Sequence, residues 1–116
     1  MKYLLLCCFE EARWERLPES QRAEVMRDYG ALIESLERSG HHRATAKLAP
    51  STAATTVRGK DGRHVLVDGP FAETKEQLGG YHVVECKDLD EAIAIAKRIP
   101  TIPVGGVVEV RPFEAE

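Results

Sequence analysis

Lys2-Tyr3-Leu4-Leu5-Leu6-Cys7-Cys8-Phe9 is apolar at odd and even positions alike. Successive side chains of a strand point to opposite faces, so a run without a wet face belongs to a central strand covered on both sides. The run is far shorter than a membrane span, passes directly into Glu10 and Glu11, and is followed by no small-residue cleavage signal. A cytoplasmic protein with no membrane association is expected.

Beyond this strand, Val25, Met26, Tyr29, Leu32, Ile33 and Leu36 recur at helical spacing. They predict a helix over 18–39, with Pro18 in its first turn and Gly40 closing it. The stretch His41 to Pro50 shows no clear period and is expected to be an irregular connection. Strands are expected at Thr52–Arg58 and His64–Asp68, joined through Gly59-Lys60-Asp61-Gly62, where Asp-Gly supplies the left-handed backbone of a tight turn. An ordered loop from Asp68 to Gly80 leads into a strand at Tyr81–Cys86. A second helix starts at a capping Asp88, with Glu91 at the reciprocal capping-box position. Its inner face is Ile93, Ala96 and Ile99, Pro100 stops it, and Val107–Arg111 forms the last strand. The expected order is β-α-β-β-β-α-β, an α+β fold with a ferredoxin-like antiparallel sheet and two helices on one face. The other face of that sheet would be bare, and an isologous homodimer burying on the order of 2,000 Å² is the expected cover.

With 116 residues, 43% hydrophobic and 30% charged, the chain suits one domain over residues 1–116. A net charge of -3 argues against nucleic acid as a partner, because binding phosphate backbones needs a surplus of Lys and Arg on one face. Cys7, Cys8 and Cys86 lack the number and spacing of a disulfide framework or a metal knuckle, and read as small buried hydrophobes. His41 and His42 are adjacent, so on extended chain they point apart, and no second cluster completes a coordination set. No metal and no cofactor are expected.

Asp68-Gly69-Pro70-Phe71-Ala72-Glu73-Thr74-Lys75-Glu76-Gln77-Leu78-Gly79-Gly80-Tyr81 resembles the signature of the DGPF group of the YCII-related proteins. Lys2-Tyr3, the helix carrying Tyr29, Ala54-Thr55-Thr56-Val57-Arg58, Leu89-Asp90-Glu91-Ala92 and Val108-Glu109-Val110-Arg111-Pro112 fall where that family places similar segments. The resemblance implies a dimeric ferredoxin-like α+β barrel, the architecture of several small isomerases and monooxygenases, and fold analogy alone assigns no chemistry. The better-known branch of that superfamily has a His-Asp pair as its candidate active site, with the His on the first helix, and this sequence departs from that pattern. The matching position here holds Tyr29, which leaves Tyr29 with Asp68 as the candidate pair. DGPF relatives are often encoded beside, or fused to, extracytoplasmic-function sigma factors, and this implies a second role as a ligand-binding or regulatory accessory.

Each candidate residue has two readings. Asp68 ends a strand, where a partly buried carboxylate can have its pKa raised enough to act as a base, or it can cap the Gly-Pro turn. Tyr29 is a proton donor or a core phenol. Glu73 and Lys75 hold a polar substrate, or form an exposed ion pair. His82 supplies an acid or base from the strand, or is a satisfied core or interface residue. Trp14 and Phe71 wall a pocket for an apolar or aromatic small-molecule ligand, or pack a dimer. The two functions that follow are proton-transfer enzyme, of isomerase or lyase type on a small organic acid or carbonyl compound, and accessory module.

Overall fold

The structure is a computed structural model and describes residues 1–115. Its elements are β1 (Lys2–Phe9), α1 (Glu11–Arg16), α2 (Glu19–Ser39), β2 (His42–Lys47), β3 (Thr55–Lys60), β4 (Arg63–Asp68), β5 (Gln77–Glu85), α3 (Leu89–Ala96) and β6 (Val107–Pro112). The main sheet has four strands in the order β2-β5-β1-β6, antiparallel throughout. With α2 and α3 on one face this is the ferredoxin-like α+β arrangement, and β1 is central as its doubly apolar pattern requires. β3 and β4 form a separate two-stranded sheet.

Two expectations are corrected. The segment expected to be irregular contains β2, an edge strand of the main sheet. Its alternation is faint because Thr45, paired with His82, takes the place of a large apolar residue on the covered face. The hairpin, expected to belong to the sheet, stands apart from it and begins at Thr55. Two further differences are smaller. Helix α1 spans six residues, too few to show a period. Strand β5 starts at Gln77, so Gly79 and Gly80 are strand residues.

Tyr3, Leu5 and Cys7 face the helices, where they pack with Leu32, Leu36, Val84, Ile95 and Ile99. Asp88 caps α3 by accepting the Glu91 backbone N–H at 2.9 Å. The Glu91 carboxylate accepts the N–H of Lys87, one residue before the cap. Ala92 and Ile95, with Ala96 and Ile99, are the buried residues of this region, and Ile93 is only half-buried.

Among the described residues, no layer covers the opposite sheet face. There Leu6 lies opposite Tyr81 and Glu109, Tyr81 opposite Ala46, Leu4 opposite Val83 and Arg111, and Val83 opposite Ala44. The centre of this face is therefore apolar, with charges on β6. The Cα extents are 49 × 44 × 18 Å, and the short dimension has room for one sheet and one layer of helices.

Candidate active site

A cavity of about 540 Å³ opens at the end of the sheet where β1 finishes and β5 begins. Its floor is the sheet around Cys7, Gly80 and His82, and Met26, Tyr29 and Ile33 of α2 form one wall. This explains why these three belong to the apolar stripe of α2 yet are less buried than Val25, Leu32 and Leu36. Their turn of the helix faces space. Trp14 of α1 lies edge-on to Phe9, ring centroids 5.9 Å apart, and helps close the end. Helix α1 is held there by Glu11, whose carboxylate accepts the backbone N–H of Ser51 at 3.1 Å and is also bonded by the Ser51 hydroxyl.

A β-bulge shapes the floor. Cys7 pairs with Gly80 and Cys8 with Leu78, so Gly79 is an extra residue in β5. The Gly79 carbonyl accepts the N–H of Leu48 at 2.8 Å, which draws the chain after β2 over the cavity. A Cβ on Gly80 would lie 2.9 Å from the Ala46 backbone oxygen. Because that neighbour is backbone, Gly80→Ala should push β2 away and cost about 1–3 kcal/mol of stability. Urea unfolding measures it.

Polar groups converge inside. The Tyr29 ring is stacked on the His82 ring with centroids 5.9 Å apart and planes 13° from parallel, and its hydroxyl lies 3.3 Å from Thr101 Oγ1. His82 is 3% exposed, and its Nδ1 has no hydrogen-bond partner. Burial, reinforced by His42, lowers the His82 pKa, which keeps the imidazole neutral near pH 7. Burial raises the pKa of Tyr29 and keeps its phenol protonated. Burial likewise pushes the Cys7 thiol up to about 11. A thiol so protonated is a poor nucleophile. The site thus brings a neutral imidazole and a protonated phenol together in a largely apolar cavity, with the charges of Lys47, Glu11 and Glu15 also on its lining.

Of the residues singled out in the sequence, Tyr29, His82 and Trp14 are brought together here. Asp68, Phe71, Glu73 and Lys75 do not line the cavity. Asp68 ends β4 opposite Thr55, and Phe71 is 77% exposed. Cys7, Thr101 and Lys47 join the lining without having been marked as site residues. The nearest signal was the double apolar pattern of β1, which placed Cys7 against a covered face. Among the described residues, no group of three or more His, Cys, Asp and Glu side chains is gathered to hold a metal ion. No helix among them is long and apolar enough to cross a membrane.

Comparison with known proteins adds three findings. A family model of the YCII-related domain matches residues 1–114. An uncharacterised protein, R00369, of Rhizobium meliloti (strain 1021) is 39% identical over 114 residues, covering 97% of this chain and 92% of that protein. Among solved structures, the 5-chloro-2-hydroxyhydroquinone dehydrochlorinase TftG from Burkholderia phenoliruptrix AC1100, in complex with 2,5-dihydroxybenzoquinone, is similar with a TM-score of 0.50. It is 15% identical, with 100% of this chain and 96% of that one covered. At that identity the likeness is one of fold.

Proposed function

The chain belongs to the YCII-related domain family, and on that premise we propose that its cavity binds a small, largely apolar organic molecule and moves a proton on it. The carrying observation is the stacked Tyr29–His82 pair on the lining of a largely apolar cavity. Neutral His82 takes a proton from a carbon next to a carbonyl, and the Tyr29 hydroxyl donates a hydrogen bond to the oxygen on which negative charge develops. Returning the proton to another carbon makes the step an isomerisation; loss of a leaving group makes it a lyase reaction. We assign the base to His82 rather than Asp68, because His82 lines the cavity and Asp68 does not. About 540 Å³ suits a compound of one or two rings. The structural neighbour, a dehydrochlorinase holding 2,5-dihydroxybenzoquinone, supports a small-molecule role and supplies a first probe.

Trp14 is the chain's one tryptophan and lines the cavity, so its fluorescence reports occupancy. Titration with 2,5-dihydroxybenzoquinone and a panel of small carbonyl and phenolic compounds should give saturable quenching. Ile33→Trp, which fills the volume, should abolish that saturable response, read as a loss of binding by calorimetry because the new indole also fluoresces. Quenching that Ile33→Trp leaves intact would place the ligand elsewhere.

We also propose that the protein works as a homodimer through the open sheet face, in which Leu4, Leu6, Tyr81 and Val83 of two copies meet around a two-fold axis. This is the cover that the doubly apolar β1 requires, and an isologous contact buries the same patch on both copies.

A further inference from the structure

We infer that the β3–β4 hairpin is an arm that packs on a second copy of this chain. The inference rests on the homodimer proposed above and adds a second element to its interface. Among the described residues the hairpin pairs with nothing but itself. Val57 and Leu66, directly opposite each other, are 61% and 70% exposed. Val65 and Val67 are exposed on the other face of the ribbon. A two-stranded ribbon is marginally stable alone in water, and apolar side chains on both its faces call for cover. The described residues do not fold back to supply it. Its radius of gyration is 16.1 Å, against about 13–14 Å for a compact domain of this length.

Area points to a second copy as the occupant. Four strands spaced about 4.8 Å apart and about 20 Å long present a footprint on the order of 400 Å². Side chains raise the accessible area of such a face above its projection, toward the roughly 800 Å² that a stable interface takes from each partner, and in a two-fold dimer two arms add to it. Charge agrees. Arg58, Lys60 and Arg63 against Asp61 and Asp68 leave the arm one positive charge in surplus, so the remainder of a chain of net charge -3 carries -4. The arm of one copy and the body of another attract.

The root of the arm lies next to the cavity. A second hollow, lined by Ala53, Ala54 and Pro70 at the arm's root, shares Leu48, Gln77 and Leu78 with the main cavity. Docking of the arm would fix this rim and the loop that carries Phe71.

The test is Val57→Ser with Leu66→Ser, two exposed positions whose loss leaves the core untouched. Sedimentation from nanomolar to micromolar chain should show the dimer dissociation constant raised on the order of a hundredfold, since each change counts twice under two-fold symmetry. Amides of 55–68 should be protected from hydrogen exchange in the wild-type dimer. A double variant that dimerises as tightly as wild type, or arm amides exchanging at free-chain rates in the dimer, would overturn the arm and leave the sheet-face dimer standing. A wild-type protein of single-chain mass at every concentration would overturn both.

Discussion

Leu5→Arg is expected to leave no folded protein, whereas Leu6→Arg, one residue on, is expected to give a folded monomer. Leu5 is fully buried between the sheet and the helices. An unpaired guanidinium there costs several kcal/mol or more, comparable with the whole stability of a domain, about 5–15 kcal/mol. Leu6 points to the open face, opposite Tyr81 and Glu109. In the single chain its replacement meets water and a carboxylate, and in a two-fold dimer it meets the same charge from the partner. Circular dichroism and light scattering separate the outcomes. A Leu6→Arg protein that keeps dimeric mass would exclude the open face as the interface, and one that unfolds would show that face to be needed by the single chain.

His82→Gln should lower turnover of an accepted substrate by about 10²–10⁴-fold, the range for loss of a positioned base. Binding, followed through Trp14, should change far less. Tyr29→Phe keeps the stacked ring and loses the donor, so it tests the hydroxyl alone. Stability carries a second signature. The folded pKa of His82 lies below its unfolded value, so as pH falls below about 6.5 the unfolded chain takes up a proton that the folded chain does not. Stability contributed by the neutral imidazole is present above the unfolded pKa and declines as pH drops through that window toward the folded pKa. Urea midpoints between pH 7.5 and 5 should therefore fall more steeply for wild type than for His82→Gln. Parallel curves would mean that His82 does not titrate as a buried neutral group.

The fold was largely legible because its strongest signals are local. The double apolar face of β1 and the periodic stripe of α2 each follow from residues within one element. Edge strand β2 was hidden because its partner lies far along the chain, where Thr45 meets His82. Gly79 and Gly80 resemble loop residues in sequence, and only the bulge against Cys7 and Cys8 reveals why a strand needs them. The site followed the same division. Tyr29, His82 and Trp14 stand far apart along the chain, and their meeting depends on α2 crossing the sheet and on Glu11 holding α1 at its end. Asp68, Phe71, Glu73 and Lys75 drew attention as neighbours within one motif, yet nearness along the chain did not carry them to the cavity. The first part of that motif, Asp68 to Glu76, forms the root of the arm and the loop that follows it, and only Gln77 to Tyr81 reach the cavity, as strand β5.

The hairpin is joined to the body at a pinched root, where the Gly69 N–H donates to the Ala54 carbonyl at 2.7 Å and the Thr56 hydroxyl to the Gly69 carbonyl at 2.7 Å. The two chain segments entering and leaving it already lie side by side. Remove it in thought, and β1, α2, β2, β5, α3 and β6 still form a complete ferredoxin-like unit. The arm is in this sense an insertion, a module whose length and surface can drift without disturbing the core, since closing a loop of altered length changes its cost only slightly. Mutation can therefore alter the arm's surface while β1 and the Tyr29–His82 pair stay fixed, so that the proposed chemistry and the proposed assembly would evolve on separate parts of one small chain.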